Sequence, residues 1–237
     1  MYTFQYVKRL RQVQKPEDYE SFAIIYEPGQ HFLLKATRAQ NLPGSETRPR
    51  LYASHIENQP KNQFTVLVKL YEHGKMSLFF RRLRLGVKTL WRGPYGDYKI
   101  NAEEKNLLFI AQGTGIAPFY SILCNMLQNE ECYTFLTLFF CCNSDNLLFR
   151  NEFYDLTRYW NFKYEIFVSN ILELSDFKVK YNEKINFFRL NIDVIRQYIN
   201  GQKGNMKILI CGGDSFSKNI SILLMDCNIS SDDIVIF

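Results

Sequence analysis

Four short segments carry residue types suited to gripping phosphates and flat aromatic heterocycles. Gly113-Thr114-Gly115-Ile116-Ala117-Pro118 follows an apolar run and opens a stretch with apolar residues at helical spacing. Exposed backbone N–H groups and a helix dipole favour an anion at such a turn, and Gly113 and Gly115 allow a close approach of the backbone. Cys211-Gly212-Gly213-Asp214 repeats the arrangement behind a second apolar run. Arg50-Leu51-Tyr52 sets a guanidinium and an aromatic ring two residues apart, hence on one face of a strand, where the fork can clasp a phosphate while the ring covers a heterocycle. Gly74-Lys75-Met76-Ser77 adds backbone N–H groups, an ammonium and a hydroxyl at a predicted helix start. Each has a plainer reading. Glycine-rich turns also serve as bare connections, an isolated Cys such as Cys211 is usually a small buried residue, and an exposed Arg beside a half-buried Tyr is common. Two such turns at the carboxyl ends of parallel strands, where ligands bind in open sheets, weigh more than either alone.

These segments need a frame to converge. Over the first hundred residues, runs at 2–7, 31–36, 64–70 and 89–91 are rich in branched and aromatic residues, with the 50–52 strand among them and turn signals at Pro28-Gly29, Pro43-Gly44 and Gly93-Pro94. They predict a small antiparallel β-barrel or sandwich with a short helix over 77–84. Beyond Gly96 the pattern changes to strands at 107–111, 134–140, 164–168 and 206–211, alternating with helices at 118–128, 147–160 and 216–225. That alternation predicts a Rossmann-like, mostly parallel sheet covered on both faces. The fold class is therefore α/β plus β, with a first domain over 1–100, a second over 106–237 and a polar linker between them.

Composition narrows the function classes. The 237 residues are 46% hydrophobic and include 20 Phe and 15 Tyr, which argues for a packed globular protein. The longest strongly apolar stretch, 135–142, falls far short of the ~20 residues a membrane-spanning helix needs. The start, Met1-Tyr2-Thr3-Phe4, lacks the layout of a signal peptide, so no integral membrane segment and a cytoplasmic location are expected. Six cysteines without a CxxC pair point to reduced thiols, and three scattered histidines give no support for a metal site. The formal charge of +5 is matched by five bases packed within twelve positions, Arg81, Arg82, Arg84, Lys88 and Arg92. This cluster is either a solvated basic face or a docking surface for an acidic partner. Nucleic acid is the weaker option, since no binding motif accompanies it.

Taken in order, Pro28-Gly29-Gln30, Arg50-x-Tyr52, Gly74-Lys75-Met76-Ser77, Gly93-Pro94-Tyr95-Gly96, Gly113-Thr114-Gly115-x-x-Pro118, Cys211-Gly212 and a final Phe237 resemble the ferredoxin reductase superfamily. Within it the likeness is to NADH-cytochrome b5 reductases, particularly the branch called cytochrome b5 reductase-like. The resemblance implies an FAD-binding barrel followed by a nicotinamide-nucleotide domain, with two coenzyme rings meeting between them. It implies that Arg50 holds flavin phosphates, that Tyr52 lies against the flavin ring beside Ala53 and Ser54, and that Leu67, Lys69 and Tyr71 line the site. Gly74, Lys75, Met76 and Ser77 would secure the diphosphate side. Gly113, Gly115, Pro118, Gly212 and Phe237 would attend the nucleotides, with Thr114 near both and Cys211 beside the reactive carbon of the nicotinamide. The reaction implied is hydride transfer from NADH to FAD and release of single electrons to an acceptor, in which Tyr52, Thr114 and Cys211 touch the reacting rings. A small acidic redox protein such as cytochrome b5 would dock near Arg81, Arg82 and Arg84. The alternative is a flavin-binding or interaction protein with little reductase activity.

Three departures from the family pattern stand out. Ala53 replaces the usual Ser or Thr after Arg-x-Tyr, removing a hydroxyl near the hydride-accepting nitrogen. The 2–7 run resembles the second strand of the barrel, so either the sequence is truncated at its start or the barrel has an open edge. The acid that binds ribose hydroxyls in NADH-preferring members has Asp145 as its candidate, although Asn146 aligns better. NADH is expected over NADPH, because Asp145 would repel a 2′-phosphate and the nearby cation is Arg150.

Overall fold

The computed structural model describes residues 27–35, 50–54, 64–84, 87, 89–100, 104–144, 147–169 and 178–237. The predicted strand at 2–7, the question of an open barrel edge, the 101–103 part of the linker and Asp145 lie outside these residues.

β1 (His31–Lys35), β2 (Arg50–Ser54), β3 (Thr65–Val66) and β4 (Leu90–Tyr95) form an antiparallel sheet in the order β3-β2-β1-β4. Alternation along the strands sends Phe32, Leu34, Leu51 and Ala53 into one core with Phe64 and Val66. The rings of Phe32 and Phe64 stack at 4.2 Å, and Trp91 meets Phe64 edge-on at 5.0 Å. Arg50 and Tyr52 consequently point to the other face. α1 (Lys75–Arg82) closes this core with Phe79 and Phe80 and turns Lys75, Leu78, Arg81 and Arg82 to solvent. The strand expected over 64–70 is shorter than its residue types suggested. Among the described residues Thr65 and Val66 find ladder partners, in Ser54 and Ala53, and residues 67–70 have none.

The second sheet is parallel throughout, in the order β10-β9-β5-β6-β7-β8. Its strands are β5 (Asn106–Gln112), β6 (Phe135–Asn143), β7 (Phe162–Ser169), β8 (Lys184–Asn186), β9 (Met206–Cys211) and β10 (Ile234–Ile236). Both faces are covered. Leu107, Phe109, Ala111, Leu138, Phe140, Leu209 and Cys211 face α2 (Ile116–Leu127) and α3 (Arg150–Leu156). Leu108, Ile110, Phe139, Phe167, Ile208 and Ile210 face α4 (Ile192–Asn200) and α5 (Asp214–Met225). The chain runs outward from β5 to β8, then returns to place β9 on the other side of β5, so strand order reverses between these two.

The helix expected over 147–160 spans only Arg150–Leu156, because Phe149 takes a left-handed conformation (φ 56°) at its start and turns replace the helix after Leu156. β8, α4 and β10 were not anticipated. The two strands are three residues long and exist because a parallel neighbour supplies their ladder. α4 did leave a signal, since Asn191 caps it by accepting from the Val194 N–H at 3.1 Å ahead of Ile192 and Ile195.

A buried ion pair ties the segment before β8 to α3. Glu183, its side chain fully enclosed, accepts from Arg150 Nε at 2.8 Å, the Tyr164 hydroxyl at 3.0 Å and the Lys180 N–H at 3.0 Å. Arg150 also donates to the Lys178 carbonyl at 2.6 Å. Burial works to raise the Glu183 pKa, but Arg150, Lys180 and Tyr164 outweigh it and hold the carboxyl below its ordinary range. Removing one partner strands the other charge, so Glu183→Ala should cost about 3–5 kcal/mol in urea unfolding at pH 7. A depressed folded pKa means the stabilisation is complete above the unfolded value and disappears as pH falls through the folded one. Wild type and Glu183→Gln should therefore converge in stability as pH drops below the glutamate range.

Candidate functional site

The reversal between β5 and β9 makes a crevice at the carboxyl edge of the sheet, the place where open α/β sheets bind ligands. The two glycine-rich turns line it and touch. Gly115 packs on the backbone of Cys211 so closely that any Cβ there would collide with the Cys211 carbonyl. Gly113 adopts φ +55°, and a Cβ built on it would meet nothing within 4 Å, so its outer side is open to a ligand. Gly113–Gly115 form a single 3-10 turn leading into α2. Pro118, buried in the first turn of α2, costs nothing there, because the first N–H groups of a helix lack intrahelical partners.

The antiparallel sheet faces this edge. Tyr52 and Leu67 pack against the core that α2 shares with the parallel sheet. Gly29, at φ +88°, lies so close to Ile122 and the Phe237 ring that an added Cβ would sit 3.0 and 3.1 Å from them. Phe237, held by its N–H on the Ile210 carbonyl at 2.9 Å, brings its ring to 6.1 Å from Tyr52, 5.6 Å from Tyr98 and 5.3 Å from Phe119. Gln30 fastens the turn, accepting from the Glu27 N–H at 2.8 Å and donating to the Gly96 carbonyl at 3.0 Å.

Electrostatics agree with a half-enclosed cleft. Burial and the neighbouring Cys211 push the Tyr52 hydroxyl up to about 12, against the opposing charge and hydrogen bond of Arg50. Burial raises the Cys211 thiol to about 12, so at neutral pH it is a small uncharged group and not a nucleophile. His31, opposite Tyr52 in the ladder and 5.4 Å from its ring, has its pKa lowered by burial and by Arg50.

The structure thus brings Arg50, Tyr52, Cys211, Gly115 and Phe237 to one seam. On the outer part of the first domain, Lys69 lies 5.1 Å over the ring of the exposed Tyr71, and Lys75 is exposed at the start of α1. Ser77 is buried and accepts from the Tyr71 N–H at 2.8 Å, which fixes the loop leading into α1. Ala53, only 1% exposed, points into the antiparallel core, and its N–H donates to the Gln30 carbonyl at 3.2 Å. His31 and Tyr98 were not singled out from the sequence, since only strand register and domain packing place them here. Among the described residues, no group of three or more His, Cys, Asp or Glu converges on a metal position, and no helix is long and apolar enough to cross a membrane.

Fold and site together define a two-domain nucleotide-binding protein whose ligand edge is shared between an antiparallel and a parallel sheet. The comparisons extend this. The oxidoreductase FAD-binding domain matches residues 14–100, and the oxidoreductase NAD-binding domain matches residues 109–221. A human protein named NADH-cytochrome b5 reductase-like is 30% identical over 213 residues, and a mouse protein of the same name is 27% identical over 212. Each alignment covers 89% of this chain and 66% of the relative, so the chain spans just under two thirds of their length. The cytochrome b5 reductase domain of Ulva prolifera nitrate reductase superposes with a TM-score of 0.75 at 18% identity, over 93% of this chain and 88% of that one. The CS-b5R domains of human Ncb5or, in an NAD+ form, give 0.72 at 21% identity, over 91% and 61%. The chain belongs to the ferredoxin reductase superfamily of FAD- and NAD-binding oxidoreductases, with relatives named NADH-cytochrome b5 reductase-like.

The contact between the two turns is directly testable. Gly115→Ala forces backbone away from backbone, and should destabilise the protein by about 1–3 kcal/mol in urea unfolding. A change below 0.5 kcal/mol would contradict the packing described.

Proposed function

We propose that this chain is an NADH-dependent flavoprotein reductase. The observation that carries the reading is the seam itself, where the Arg50/Tyr52 face meets the glycine turns that hold Cys211. The residues present fit both coenzymes. Arg50 offers an exposed guanidinium for a phosphate, and Tyr52 a half-buried ring for a flat heterocycle. Leu67, Lys69, Tyr71 and the 74–77 segment complete a flavin surface around them. Gly113, Thr114, Gly115, Cys211 and Gly212 serve the nicotinamide nucleotide, with the open outer side of Gly113 leaving room for it. Pro118 and Phe237 support that surface from beneath.

FAD, when bound, supplies the capacity to accept a hydride and to give up electrons singly. The protein's share is orientation and exclusion of water. Tyr52 and Phe237 wall the seam with aromatic surface, and Cys211 presents a small neutral side chain beside the reacting position. Holding reactants in contact removes much of the entropic barrier, so no side chain need form a covalent bond with substrate. With its usual hydroxyl replaced by Ala53, this chain would rely on backbone groups at that point.

NADH is favoured over NADPH. Arg150, the first residue of α3, is engaged with Glu183 and the Lys178 carbonyl, which commits it away from a 2′-phosphate. For the acceptor, a small acidic redox protein such as cytochrome b5, docking on exposed Arg81, Arg82 and Arg84 in the cytoplasm, fits the basic face. Two of these arginines also complement the carboxyl end of α1. The domains divide between residues 100 and 106.

Purified protein should carry FAD or take it up, and its visible absorbance should bleach on adding NADH, with NADPH much slower. Flavin uptake without bleaching would favour a binding protein lacking reductase activity; absence of flavin uptake would remove both. Reversing Arg81, Arg82 and Arg84 to Glu should slow reduction of cytochrome b5 at least tenfold at low salt while leaving ferricyanide reduction unchanged. The wild-type rate should fall with ionic strength, since exposed charges are screened over about 8 Å at 0.15 M. Rates indifferent to both would rule out docking there.

A further inference from the structure

Among the described residues, the two turns that form the crevice carry no cation. Residues 111–118 and 210–217 contain no Lys or Arg, and an acid, Asp214, stands exposed in the first turn of α5. A dinucleotide crossing this edge brings a diphosphate with two negative charges, which must be met by neutral donors. Backbone N–H groups of the turns are one source. Side chains are few, since Gly113, Gly115, Gly212 and Gly213 have none and Cys211 is buried toward α2.

Thr114 and Ser215 offer short hydroxyls, and Gln112 is the one carboxamide within residues 111–118 and 210–217. As the last residue of β5 it alternates with Ala111, so it projects with Leu108 and Ile110 toward the α5 side of the sheet, and it is exposed. It leans across the second turn. A Cβ on Gly212 would lie 3.0 Å from the Gln112 Cβ, and one on Gly213 would lie 3.8 Å from Gln112 Oε1. Among the described residues its carboxamide enters no hydrogen bond. Rotation of the terminal torsion can present either the oxygen or the N–H₂ group to the crevice. The missing side chains of Gly212 and Gly213 are what leave it room to do so.

We propose that Gln112 grips the diphosphate of the nicotinamide nucleotide, donating its Nε2–H across the Gly212–Gly213 turn. This rests on the reductase reading above and assigns one side chain to nucleotide affinity. A neutral amide suits this position because it holds an anion next to Asp214 without forming an ion pair that would divert it.

The test uses the flavin-loaded full chain with Gln112→Met, which keeps length and loses the donor, and Gln112→Glu, which turns the donor into an anion. Hydrogen bonds to charged groups are strong enough that Gln112→Met should raise KM for NADH about tenfold with kcat within twofold. Gln112→Glu should raise it about a hundredfold at pH 8, and the gap between the two variants should narrow toward pH 5 as the carboxylate takes up a proton. The inhibition constant of ADP should rise in parallel, whereas that of adenosine, which lacks the diphosphate, should not move. Flavin absorbance should be unchanged in all forms. If wild type oxidises NADH but both variants keep KM and ADP inhibition within twofold, the role of Gln112 is overturned while the reductase reading stands. If ADP and adenosine weaken equally, the residue acts on the shape of the crevice and not on the diphosphate, and the proposal also falls. If wild type does not oxidise NADH, both fall.

Discussion

Backbone meets backbone where Gly115 lies on the carbonyl of Cys211, and the rest of the ligand edge follows from that contact. Two strands adjacent in a parallel sheet sit about 4.8 Å apart, and the turns that leave them diverge to opposite faces. Only a residue without a side chain lets the first turn settle against the second strand's end. Once it does, Cys211 is held under the seam and Gly113 is left with an open outer side. Phe237, bonded to the neighbouring Ile210, then reaches Tyr52 on the other sheet.

That aromatic seam also explains the charge states around it. Tyr52 and Cys211 are neutral at physiological pH because burial penalises their ionised forms, and each lies near the other. Arg50 stands at the exposed start of the strand that carries Tyr52. The cleft thus grades from a cationic mouth suited to phosphates to an uncharged interior suited to stacked rings, with strong electrostatics confined to where a coenzyme is itself charged. The buried Arg150–Glu183 pair sits apart from this gradient and ties α3 to the turn before β8 at the far flank of the parallel sheet.

Ala53 acquires a different meaning in the folded chain. From the sequence alone it is a lost hydroxyl at the reacting centre. In the structure its side chain belongs to the core with Val66 and Phe32, and what it offers the cleft side is backbone. A larger residue there would press on a core already closed by Phe64, Phe79 and Phe80.

By itself the sequence determined the elements whose periodicity is long and unambiguous: the apolar strands β5, β6, β7 and β9, the helices α2 and α5 behind their glycine turns, and the pairing of Arg50 with Tyr52 on one strand face. These are local properties, set by side-chain alternation and by the conformational freedom of glycine, so they can be read without a partner. The three-residue strands β8 and β10 could not be read, because a parallel neighbour creates them. Nor could the nearness of His31 to Tyr52, which strand register decides, or that of Tyr98 to Phe237, which domain packing decides. The length of α3 and the engagement of Arg150 were likewise tertiary outcomes, set by the backbone of Phe149 and by a glutamate thirty-three residues away. Which residues share the ligand edge was settled by strand order, since only the reversal between β5 and β9 brings residues 112–115 and 211–213 together.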